Sequence, residues 1–120
     1  MRSVLKKVVA VGLGVVVCAG MSVSLFAAGA SHTIDVTTTK ATSTFTYGTG
    51  GKLLELELYY EQYHPGTKDE DDGTVYKYVN GSYYTVTATK NNDVGYSITK
   101  AISTASVSGT EYSVLDGYPD

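Results

Sequence analysis

The sequence predicts an all-β domain: a small antiparallel β-sandwich of six to eight short strands, with a small β-barrel as the alternative closure. Three observations predict it. After residue 30 the chain is rich in threonine, valine, tyrosine and isoleucine, which crowd a helix and suit a pleated strand. Apolar residues recur there with period two rather than 3.6. Turn signals fall roughly every 8–12 residues, the spacing of a sandwich or barrel. No helical stretch separates the strand patterns, which excludes a parallel α/β sheet.

In His32–Thr39, Ile34, Val36 and Thr38 share one face, and Thr33, Asp35 and Thr37 share the other. In Thr42–Tyr47, Phe45 and Tyr47 align, and Gly48-Thr49-Gly50-Gly51 ends the strand because glycine relaxes φ and packs nothing. Leu53–Tyr63 is the clearest strand. Leu54, Leu56, Leu58 and Tyr60 fall on one face, with Glu55, Glu57, Tyr59 and Glu61 opposite. Burying each leucine contributes roughly 1.5–3 kcal/mol, so this strand is the expected spine of the core.

His64–Gly73 reads as a turn and loop, with Pro65-Gly66 reversing the chain and an acidic run that resists burial. Thr74–Val79 and Ser82–Lys90 follow, separated by Asn80-Gly81, a hairpin signal that also fits a bulge. Asn91-Asn92-Asp93 with Gly95 makes the next turn. Tyr96–Thr104 and Ala105–Val107 read as one long strand with a small face of Ala101, Ser103, Ala105 and Val107. Such a face predicts close approach of the opposing sheet. Gly109 breaks the chain before a last strand, Thr110–Leu115.

Residues 1–30 read as a secretory signal peptide and 31–120 as the single domain. Arg2, Lys6 and Lys7 precede an apolar stretch, Val8–Ala30, that ends in Ala28-Gly29-Ala30, a small-x-small site placing the cut before Ser31. The alternative is retention: 23 residues of helix are long enough to cross a bilayer of roughly 30 Å. Val17 before Cys18 is a poor lipobox. Cleavage takes the only cysteine and three of nine basic residues but none of the twelve acids, moving the net charge from −3 to −6. That balance excludes nucleic acid, whose phosphates need a basic patch. It also excludes adsorption to anionic lipid, leaving membrane contact only to an uncleaved anchor.

No catalytic signature is present, and no cofactor or metal motif. His32 and His64 lack ligand-spaced neighbours; His32, two residues past the cut, is expected in a mobile terminus. No G-x-S-x-G elbow occurs. Counting from Asp69, an EF-hand needs Asp or Asn where Gly73 stands and glutamate where Asn80 stands, so the acidic run 69–72 offers at most a calcium site of another kind. Glu55 and Glu57 lie about 7 Å apart by strand rise, but any same-face pair meets that spacing for paired carboxylates.

Tyrosine is the distinctive residue: eleven, against two phenylalanines and no tryptophan. Tyr76 and Tyr78 share a face opposite Val75 and Val79, and within each doublet, Tyr59-Tyr60 and Tyr83-Tyr84, one ring faces inward. Tyr59, Tyr63, Tyr76, Tyr78 and Tyr83 are the candidate ligand-contact surface, because a ring with a polar tip binds sugars, peptides and proteins. Cross-strand pairing is their structural alternative. The expected function is a non-enzymatic binding module outside the cell, with a glycan, an envelope polymer or a protein as partner.

The segment Tyr83–Val107, YYTVTATKNNDVGYSITKAISTASV, resembles the strand-turn-strand of small secreted β-sandwich proteins of Gram-positive bacteria, the lactococcin-like bacteriocins among them. The resemblance covers about a quarter of the chain and rests on alternating small and β-branched residues. It implies a secreted antibacterial protein acting at the cell envelope, the alternative function, and carries over no functional residue.

Overall fold

The computed structural model describes residues 14–18, 21–25, 30–48, 51–81 and 84–119. Nine strands lie among them: β1 Gly14–Cys18, β2 Met21–Leu25, β3 Ser31–Val36, β4 Lys40–Thr46, β5 Leu54–His64, β6 Asp69–Val79, β7 Thr85–Asn91, β8 Ser97–Val107 and β9 Thr110–Gly117. They form two antiparallel sheets, ordered β1-β2-β3-β4-β7 and β6-β5-β8-β9. The sheets pack face to face and stay open, so the fold is a sandwich and not a barrel. Seven strands fall between Ser31 and Gly117, within the six to eight expected.

β1 and β2 lie in the segment read as the export signal, and β2 pairs along β3 from Met21↔Asp35 to Leu25↔Ser31. Val15-Val16-Val17 and the alternation of Met21, Val23 and Leu25 with serines suit strands better than a helix. Among the described residues no helix is long and apolar enough to cross a membrane. Ala30 is buried and Ser31 opens β3; Ala28 lies outside the described residues.

The core is the one that alternation predicts. Ile34, Val36, Ala41, Phe45, Val86 and Ala88 point inward from one sheet; Leu54, Leu56, Leu58, Ile98 and Leu115 point inward from the other. Ala101, Ser103 and Ala105 are fully buried on β8, and their small side chains let the sheets approach.

Two turn assignments need correction. The acidic run is not a loop: Pro65–Lys68 alone reverses the chain, and Asp69 opens β6, paired His64↔Asp69 and Glu61↔Asp72. β6 is an edge strand on which residues 69–72 are all exposed, so their charge costs no burial. Nor is Asn80-Gly81 a hairpin. β6 pairs with β5 and β7 with β4, so the chain changes sheets between Val79 and Thr85. Gly81, at φ +88°, supplies the left-handed residue that the turn signal promised, but not the pairing.

The turn before β8 closes on a hydrogen bond from Tyr96 N–H to the Asp93 carbonyl, 2.9 Å. Gly95 sits there at φ +85°, and an added Cβ would fall 2.3 Å from His64 Nε2. Gly95→Ala is therefore expected to lose roughly 1–3 kcal/mol through backbone strain and displacement of the imidazole. Thermal unfolding measures this; an unchanged midpoint would refute the close approach.

Candidate functional site

Alternation sends Glu55, Glu57, Tyr59, Glu61 and Tyr63 of β5 outward, opposite the leucines. The register sets Tyr78, Tyr76, Thr74, Asp72 and Glu70 of β6 beside them, in that order. Four of the five candidate tyrosines thus share one sheet face; Tyr83 lies outside the described residues. Tyr76 and Tyr78 are the most open, 49% and 63% exposed, with ring centroids 6.2 Å apart. Tyr59 and Tyr63 are half-buried, and Tyr60, the other half of its doublet, turns inward. Its ring lies over Gly73, where a Cβ would come within 2.6 Å of the Tyr60 hydroxyl, and under the Lys90 ammonium, 4.7 Å from the ring centre.

Two phenols of this face hold carboxylates. Tyr76 donates to Glu55 Oε2, diagonally across the strands. Tyr59 donates to Glu61 Oε2 at 2.8 Å and lies 3.4 Å from Asp72 Oδ2. The bond to Glu61 pushes the Tyr59 phenol up to about 12, and the bond to Glu55 does the same for Tyr76, because ionising either ring would set two anions against each other. Both rings stay neutral donors at physiological pH.

Beyond Tyr59 the sheet is broken by a bulge: Glu61 pairs with Lys100 and Gln62 with Ile98, leaving Thr99 as the extra residue, its hydroxyl bonded to the Glu61 carbonyl at 3.2 Å. A hollow of about 550 Å³ opens here, and Glu61, Glu70, Asp71 and Asp72 line it together with Tyr63 and Gln62. Gln62 is nearly fully buried. Its amide nitrogen donates to Asp71 Oδ2 and Asp93 Oδ2 at 2.9 and 2.8 Å, and its oxygen accepts the Asp93 N–H at 3.2 Å. The Lys90 ammonium, 2.9 Å from Asp93, holds that carboxyl below its usual range with help from Gln62. Gln62 thereby fixes the floor of the hollow. Among the described residues no His, Cys, Asp or Glu group converges as a metal site, and β6 sends Asp69 and Asp71 to one face and Glu70 and Asp72 to the other.

His32 is not in a mobile terminus. It is fully buried on β3, on the same parity as Ile34 and Val36. Ser43 donates to the Thr33 carbonyl at 2.7 Å, so its oxygen accepts the Ser103 hydroxyl at 2.6 Å. Ser103 is then left to accept from His32 Nε2–H at 2.8 Å, and Ser113 to donate to Nδ1 at 2.8 Å. This chain ties β3 to β8 and β9 across the core. Burial drives the imidazole pKa down to about 3, and no solvent reaches the ring, so the group is structural.

Sequence reasoning missed Gln62 and the Glu61–Asp72 pair. The first follows the leucine parity along β5 and was readable there; the second depends on a β6 register that local sequence does not set. Comparison of the chain with family models, curated proteins and solved structures gave no match, so the site is interpreted from its own geometry.

Proposed function

We propose that this chain is a secreted, non-enzymatic binding module whose ligand lies on the outer face of β5 and β6. The observation that carries the reading is the side-by-side exposure of Tyr76 and Tyr78 on an edge strand, farther along the sheet from the hollow. Large rings left open in one place mark a contact surface more often than scattered exposure does. The basic, apolar and small-residue order of positions 1–30 supports export.

Replacing both rings (Tyr76→Ser, Tyr78→Ser) removes little buried area. The double variant is expected to keep its circular dichroism and to unfold within about 1 kcal/mol of the parent. Retention on an array of glycans, envelope polymers and peptides should be lost. Unfolding of the variant would show instead that the rings are structural, and undiminished retention would place the ligand elsewhere.

A further inference from the structure

We infer that the ligand of this face is an extended polypeptide segment carrying two arginine or lysine side chains four or six residues apart, an even spacing that keeps both on one face of the strand. The inference rests on the binding surface proposed above and names the chemistry of its partner.

The outer face of β5 and β6 carries Glu55, Glu57, Glu61, Glu70 and Asp72 and no lysine or arginine. Among the described residues none of these five carboxylates has an ion-pair partner within 4 Å. The nearest cation in register, Lys100 opposite Glu61, has its ammonium 5.9 Å from the Tyr118 ring centre. Glu61 and Asp72 stand directly opposite each other across the strands, where like charges repel. Between them is a single donor, the Tyr59 hydroxyl, with one hydrogen for two carboxylates. Ionised carboxylates only accept, so a ligand entering the hollow must bring donors, and a cationic one also relieves the repulsion.

The second half of the site lies along the strand. Glu55 and Glu57 flank Tyr76 and Tyr78, a combination that takes a guanidinium by ring stacking and charge together. From there to Glu61 is four to six residues, about 13–20 Å at the strand rise. An extended chain laid along β5 would therefore seat one cationic head over the tyrosines and the next in the hollow. An anionic polymer would meet five like charges, and a neutral glycan would leave the hollow's charge uncompensated.

The test uses the full chain and a fluorescein-labelled serine-glycine peptide with two arginines six residues apart, read by anisotropy. A neutral N-acetylglucosamine hexamer is the competing probe. The peptide is expected to bind, and to bind at least about tenfold more weakly to the Glu61→Gln, Asp72→Asn variant and to the Tyr76→Ser, Tyr78→Ser variant. The carboxylate variant should melt no lower than the parent, because a repulsive pair has been removed. A control variant with remote acids neutralised (Asp35→Asn, Glu111→Gln) should bind as the parent does. An equal loss in that control would reduce the binding to general charge attraction and overturn the inference. Binding of the neutral hexamer through Tyr76 and Tyr78, with no binding of the peptide, would overturn it while leaving the binding surface in place. Failure of both probes, with array retention absent, would remove the surface as well.

Discussion

Acidification from pH 7 to 3 is expected to cost the folded state roughly 4 kcal/mol through His32 alone. The direction follows from burial. The folded imidazole is held neutral, with its pKa lowered from 6.5 to about 3, whereas the unfolded one titrates normally. Above pH 6.5 both states carry it neutral and nothing is lost. Between 6.5 and 3 only the unfolded chain takes the proton, so stability falls by about 1.4 kcal/mol per pH unit. Protonation at Nδ1 would also reverse the bond that Ser113 donates. A domain of this size holds only about 5–13 kcal/mol in all. Carboxylates add acid sensitivity of their own, so the comparison that counts is with His32→Gln, which keeps a donor and an acceptor for the serines but does not titrate. Denaturant unfolding at several pH values should show a flatter dependence in the variant. Parallel slopes for the two proteins would mean that His32 is not the group responsible.

Phe45→Ala is expected to destabilise the domain by about 3–5 kcal/mol. Phe45 is the largest fully buried side chain among the described residues. Its ring sits edge-on to His32 at 5.7 Å and tilted against Tyr112 at 5.6 Å. Tyr112 reaches it because β9 bulges there, Ser113 pairing with Ala105 and Glu111 with Ser106, so that a residue of the wrong parity turns inward. Removing Phe45 leaves a void bounded by the rings of His32, Tyr47 and Tyr112 that cannot collapse without moving β9. Phe45→Leu should recover most of the loss. Urea unfolding reads both variants, and a cost below about 1 kcal/mol for alanine would show that the cluster repacks freely.

The parts of this fold that were legible in the sequence are those fixed by burial on one face. β5 announced itself because Leu54, Leu56 and Leu58 need a side and Glu55 and Glu57 need the other. The small face of β8 was readable for the same reason. The acidic first half of β6 was not, although Thr74–Val79 was read as a strand: on an exposed edge strand alternation carries no burial signal, and an acidic strand looks like an acidic loop. The Asn80-Gly81 turn was found but not its consequence, since a tight turn says that the chain bends and not which sheet receives it. His32 was within reach. Its parity matched Ile34 and Val36, and Ser43, Ser103 and Ser113 stood at core parity or beside it, as partners for a buried polar ring. The tyrosine face was legible as a stripe. Its acidic hollow was not, because the hollow is made by strand register and a bulge.

The crossing of the chain between sheets has a consequence for time. Phe45 of β4 pairs with Val86 of β7, and Leu56 of β5 with Ala105 of β8, each about 40 residues or more along the chain. Neither sheet can be completed from neighbouring hairpins alone; both need distant segments to meet, and closing such long loops costs entropy before any contact offsets it. Chains built this way fold in milliseconds to seconds rather than microseconds. Under the export proposed above, such a delay would keep the polypeptide threadable at the membrane and let the sandwich close after passage.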